Sequence, residues 1–133
     1  MTIHKATSAL LLMAMLTISQ TCFADEIYRL RIFFGLSLPG GGAVSLNDWQ
    51  VFERENLSKA FDGFNVVDST GYYQGKPERS KIVTVIVDKK GIQKAKKLAK
   101  IYAKQFQQES VMIVKVPVLE WSFIGAEESI STE

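Results

Sequence analysis

The stretch SKIVTVIVDKKGIQKAKKLAKIYAKQFQQ, residues 80–108, decides the fold. Ile82, Val83, Thr84, Val85, Ile86 and Val87 form the strongest strand signal in the chain, being β-branched without a break. Such near-continuous apolarity predicts burial on both faces and a place at the centre of a sheet. Past Asp88 the period changes. Ile92, Ala95, Leu98, Ala99, Tyr102 and Phe106 step by three or four residues, which predicts a helix over 92–108 with one apolar stripe.

Working outward, Phe64–Tyr73 reads as a strand that turns at Gln74-Gly75-Lys76-Pro77 into the central one, making a hairpin. From Ile27 to Leu36 the pattern alternates. Tyr28, Leu30, Ile32, Phe34 and Leu36 point one way, and Arg29, Arg31 and Phe33 the other. Pro39 and Gly40 to Gly42 end that strand, and Ser45, with Asp48 three residues on, reads as the N-cap of a helix running from Leu46 to Leu57 or Ala60. Asp62-Gly63 is a turn. A last strand is expected over Val111–Val116, ended by Pro117, and a loose acidic tail from about residue 125. The order is βαββαβ. This is the α+β ferredoxin-like arrangement, a four-stranded antiparallel sheet with two helices on one face.

The only cysteine and the only histidine, Cys22 and His4, fall in residues 1–24, which read as a secretory signal peptide. Lys5 supplies the positive start, Ala9 to Ile18 the apolar run, and Cys22-Phe23-Ala24 an A-x-A-like cleavage site. The run is shorter than the roughly 20 residues of a transmembrane helix. The expectation is export to the periplasm or the medium with cleavage after Ala24. A lipoprotein acylated on Cys22 is the alternative, although Ser19-Gln20-Thr21 lacks the small residue and leucine such processing resembles.

The remaining single domain, residues 25–133, carries no thiol and no imidazole. That excludes Cys or Ser–His nucleophile systems, thiolate or imidazole metal sites and disulfides within it. No cofactor and no metal site is expected, since Glu53, Glu55, Asp62 and Asp68 show no calcium-loop spacing. With 15 basic and 14 acidic residues after position 24, steering toward nucleic acid is not indicated. Gly40 to Gly42 lacks the lysine and the spacing of a phosphate loop.

Three surfaces stand out. Lys90, Lys94, Lys97, Lys100 and Lys104 share one helix face, which fits either weak contact with an anionic membrane or plain solvation. Arg29, Arg31 and Phe33, expected beside Lys115 on the last strand, form a mixed sheet face that helices do not cover. It calls for a second copy of the chain, an anionic ligand held by the arginines, or partial cover by Trp121 and Phe123. Glu78, Arg79, Ser80 and Lys81 open the central strand near Tyr72 and Tyr73, where Glu78 is a candidate base or an ordinary turn residue.

In order, Phe33-Phe34-Gly35, Trp49-x-x-Phe52, Phe61-Asp62-Gly63-Phe64, Gly71-x-Tyr73, Glu78-Arg79-Ser80-Lys81 and Tyr102-x-x-x-Phe106-x-Gln108-Glu109-Ser110-Val111 resemble the exported bacterial family called domain of unknown function 3574. The resemblance covers about residues 27–114 and departs at Lys59-Ala60-Phe61, where the family has Pro-Arg-Phe. It implies a small secreted or envelope protein and supports Tyr73, Glu78, Ser80, Lys81, Gln108 and Glu109 as positions to test, without supplying a reaction. The residues favour a non-catalytic binding or assembly module, homodimeric through the open sheet face. The competing class is an enzyme of dimeric ferredoxin-like type, with Glu78 as base, Tyr73 as proton donor and Arg29 or Arg31 anchoring an anionic substrate.

Overall fold

Alternation along β1 (Tyr28–Gly35) separates the two sides of the sheet: Leu30, Ile32 and Phe34 are fully buried, while Arg29 and Arg31 face solvent. The computed structural model describes residues 25–126. Residues 1–24, read as a signal peptide and holding His4 and Cys22, and residues 127–133, with Glu127, Glu128 and Glu133, lie outside the described residues.

Ser45 caps the first helix as its sequence predicts, its Oγ accepting the Asp48 N–H at 3.0 Å. The helical segment then runs as α1 (Leu46–Phe52), a π turn (Glu53–Leu57) and a last turn, α2 (Ser58–Ala60). A π turn bonds residues five apart, so Phe52 and Leu57 can both face the core, where each is fully buried. β2 (Asn65–Tyr73) and β3 (Lys76–Val87) form a tighter hairpin than Pro77 suggested. Gln74 and Gly75 alone make the turn, at φ of 48° and 75°, and β3 starts four residues earlier than expected. Pro77 fits because the strand is entered there rather than at the centre.

Asp88 caps α3 (Lys89–Gln105), accepting the Gly91 N–H at 2.8 Å, so this helix starts and ends about three residues before the periodicity placed it. β4 (Met112–Pro117) closes the sheet, whose order is β2-β3-β1-β4 with antiparallel neighbours throughout. Both helical segments lie on one side: Trp49, Phe52, Leu57, Ala95, Leu98 and Tyr102 share one core with Leu30, Ile32, Phe34, Val83 and Val85. This is the ferredoxin-like βαββαβ arrangement. Among the described residues no helix is long and apolar enough to cross a membrane.

Burial of β3 on both faces holds for part of its length only. Ile82 is buried on the open side between its register partners Phe33 and Val67, but Ile86 is 45% exposed there. Trp121 and Phe123 do not close that side. Their rings meet edge to face at 5.4 Å beside Ile27, Phe61 and Gly91, and Phe123 is 87% exposed.

The approach of α3 to β3 depends on Gly91, where an added Cβ would stand 2.4 Å from the Val87 Cβ. Gly91→Ala should cost about 1–3 kcal/mol in urea unfolding, because overpacking outweighs the better helix former. Val87→Ala should cost less in that background than in the natural chain. Alanine keeps the Val87 Cβ and removes the Cγ atoms 2.7 and 3.3 Å away, so fully additive costs would show that those branches take no part in the clash.

Candidate functional site

Successive residues of a strand point to opposite faces, and this divides the Glu78–Lys81 run. Glu78 and Ser80 face the open side. Arg79 and Lys81 face the helix side, beside Trp49. The sequence candidates therefore fall into two places instead of one.

On the open side, Glu78, Ser80, Tyr73 and Gln108 line one hollow of about 240 Å³ with Phe33, Gly35, Gly71, Ser110 and Met112. Register explains the gathering: β3 sets Glu78 opposite Gly71 and Ser80 opposite Gly35, with Tyr73 at the hairpin end. Gln108 arrives from the chain after α3. That helix stops at Phe106, Gln107 takes a left-handed φ of 51°, and the Gln108 side-chain amide donates to the Ser37 carbonyl at 2.8 Å and the Phe106 carbonyl at 3.0 Å. With its nitrogen so engaged, Oε1 turns toward Gly35. A Cβ at residue 35 would lie 3.0 Å from it and 3.1 Å from Glu78 Oε1. Gly35 is thus the floor of the hollow, and only its lack of a side chain lets the two polar groups converge. Beneath the same residue the buried Tyr102 hydroxyl donates to the Gly35 carbonyl at 2.7 Å. Burial pushes the Tyr102 phenol well above its ordinary pKa, so it stays protonated as that donor.

The hollow is shallow, and Glu78 and Tyr73 are exposed. The Tyr73 hydroxyl accepts only a long 3.4 Å hydrogen bond, from the Gln74 amide. Glu109 is exposed and outside the lining. Arg29 and Arg31 share the open side but not this place. Arg29 pairs with Ile86, six residues along β1 from Gly35, about 20 Å at ~3.3 Å per residue. Arg31 stacks on Phe33 at 5.2 Å. Lys115 departs from expectation. Its register partner is the core residue Leu30, which puts it on the helix side, its ammonium 4.6 Å from the Tyr28 ring. The sequence reading counted it onto the wrong face because β4 begins at Met112 and its odd-numbered residues point inward. The sequence reading also missed Gly35, Gly71 and Ser110 as lining. A lone glycine inside an alternating strand was the available signal for the first.

Lys81 makes an ion pair with its strand neighbour Asp68. The Lys81 hydrogen bond, then its charge, holds the Asp68 carboxyl below the usual range, and Arg79 adds to this. The pair therefore stays intact down through the ordinary carboxylate range and is lost only at lower pH, when Asp68 takes up a proton. Among the described residues no group of three or more acidic, cysteine or histidine side chains could hold a metal ion.

The family described as "Protein of unknown function (DUF3574)" matches residues 29–123. The chain belongs to that family. It is similar in fold to a phage SAM lyase solved in complex with S-methyl-5'-thioadenosine, at 18% identity and a TM-score of 0.53 over 74% of this chain and 95% of the lyase. The apo state of the phage SAM lyase matches at 17% identity and a TM-score of 0.46, over 75% of this chain and 96% of that one. No curated protein matches the chain.

The two arms of the hollow carry different loads. Gln108→Ala should lower stability by about 1–2 kcal/mol by leaving two carbonyls without their donor. Glu78→Gln, at an exposed and unpaired carboxylate, should stay within about 0.5 kcal/mol. Urea unfolding of both variants checks this, and a large loss for Glu78→Gln would make that residue structural.

Proposed function

We propose that this protein is an exported, non-catalytic binding module that works as a homodimer, two copies packing their open sheet faces together. One observation carries the reading: the open face is apolar where a monomer would be polar. Val67, 52% exposed, and Met112, 56% exposed, lie in one row across the sheet with Phe33 and Ile82, Val114 stands beside Arg31 in the next, and Ile86 and Val116 flank Arg29 in the one after. Exposed apolar side chains of this number, interleaved with two arginines on one uncovered face, mark an interaction surface. Charge supports a second copy as occupant. Arg29 and Arg31 stand at one end of the face, and Glu78, the one carboxylate its strands carry among the described residues, near the other, with Lys76 beyond it at the hairpin tip. Two-fold antiparallel packing sets the arginines of one copy against Glu78 of the other, and such an interface is self-complementary by symmetry.

The acid–base alternative finds less support. A working base is normally desolvated, whereas Glu78 is exposed in the single chain, and the arginines meant to anchor substrate lie well away from it. Export rests on the leader read in residues 1–24. N-terminal sequencing of secreted material should begin at Asp25, and a blocked, acylated Cys22 would replace cleavage with lipid anchoring.

Light scattering tests the dimer. The natural chain should be dimeric at micromolar concentration, and Ile86→Glu or Arg31→Glu should make it monomeric while its circular dichroism is kept. Lys97→Glu, on the exposed helix face, should leave the dimer unchanged. A natural chain that is monomeric at hundreds of micromolar, or a dimer that survives both open-face changes, overturns the reading.

A further inference from the structure

The helix side of β3 carries a pocket on the other side of the sheet from the open face. There the sheet meets the start of α1 and encloses a pocket of about 310 Å³, near the lower end of the ~300–1,000 Å³ range of small-molecule sites. Its wall is apolar, with Leu36, Val44 and Trp49 buried and Leu46 at the rim. Its polar groups are two cations, Arg79 and Lys81, and two serines; no carboxylate lines it.

We propose that this pocket binds a small amphipathic anion: an oxyanion, carboxylate or phosphate monoester, held by Arg79 and Lys81, with its apolar body against Leu36, Val44, Leu46 and the Trp49 edge. Three features support this. Lys81 has a side chain only 15% exposed, and its charge therefore acts in a setting less screened than bulk water. The exposed Asp68 carboxylate engages that ammonium from the β2 side, and an ammonium has three donors, so capacity remains. Arg79 stands two residues along on the same face at the exposed mouth of the pocket, takes part in none of the ion pairs among the described residues, and offers a planar fork suited to an oxyanion.

A purely structural account explains Lys81, through Asp68 and its position 6.0 Å from the Trp49 ring. It gives Arg79 only a weak, through-space part in holding Asp68 charged, and it does not account for the apolar hollow in front of both cations. One charge paired with Asp68 and one unpaired leave the pocket net positive, and the lining supplies the apolar surface that an inorganic ion would not need.

The test titrates the purified ¹⁵N-labelled protein with phenyl phosphate, benzoate, benzylamine and benzyl alcohol at low salt. It follows the Trp49 indole N–H and the amides of residues 36, 44–46, 79 and 81. Phenyl phosphate or benzoate should give saturable shifts confined to that set, weakened by added salt, with the alcohol and the amine at least about tenfold weaker, the scale of a lost charged hydrogen bond. Arg79→Gln should weaken the anions about tenfold or more, and Leu46→Glu, an exposed rim position, should do the same by repulsion. Arg29→Gln, on the open face, should change nothing. Equal binding of the neutral alcohol, equal affinity in both pocket variants, or shifts mapping elsewhere would overturn the proposal. Loss of the dimer leaves this result unaffected, because the two sites lie on opposite sides of the sheet.

Discussion

Everything else in the molecule depends on the burial of Phe34. Its ring lies 5.5 Å from Trp49, 5.5 Å from Phe52 and 4.8 Å from Tyr102, and Tyr102 in turn lies 4.7 Å from Phe106. One strand residue thus ties β1 to α1 and to α3 through tilted and edge-to-face aromatic pairs. Such pairs add about 0.5–1.5 kcal/mol each beyond their buried area. Their geometry is also directional, unlike aliphatic packing, so the cluster sets the positions of both helical segments over the sheet. The hydrogen bond from Tyr102 to the Gly35 carbonyl extends the restraint by one residue, to the strand end where the open-face hollow begins.

Alternation then does two things with the same strand. In β3 it sends Val83, Val85 and Val87 into the core and Ile82, Thr84 and Ile86 to the uncovered side. Past the core's edge the rule continues with polar residues, giving Arg79 and Lys81 to the helix side and Glu78 and Ser80 to the open side. Four consecutive residues thereby serve two surfaces, with the two cations on one and the carboxylate and hydroxyl on the other. A one-residue slip in register would exchange them and expose the core valines, so the burial of those valines is what keeps the two polar pairs apart.

The elements of the fold were legible because each has a strong local cause: the β-branched run at 82–87, the stripe from Ile92 to Phe106, and the Ser45 cap. Boundaries moved where a terminus is decided by a single contact, as when the Asp88 cap starts α3 at Lys89, three residues before the apolar stripe. Of the candidate site, Tyr73, Glu78, Ser80 and Gln108 do come together in one hollow, the first three marked by the opening of the central strand and Gln108 by family resemblance. What no local pattern could supply was the face of each residue relative to strands far away in sequence. Lys115 was misplaced because the start of β4 fixes its parity, and Lys81 separated from Glu78 for the same reason. The π turn at Glu53–Leu57 left no readable mark either, since the helix period bends there to serve the core.

The residues around Gly35 show how the two surfaces are joined. Gly35 meets the Gln108 and Glu78 side chains on the open side, and its carbonyl is held by Tyr102 from the core. The next residue, Leu36, bonds its N–H to the Arg79 carbonyl at 2.9 Å and lines the pocket on the helix side. Gln108 closes the loop through the Ser37 carbonyl. The end of β1 is therefore a rigid junction in which every polar backbone group named has a partner, and both surfaces are built on it. With neither thiol nor imidazole among the described residues, few reactive groups are there to position. What it positions instead, on this junction, are arginine, lysine and glutamate at opposite faces of one sheet, groups suited to recognising charge.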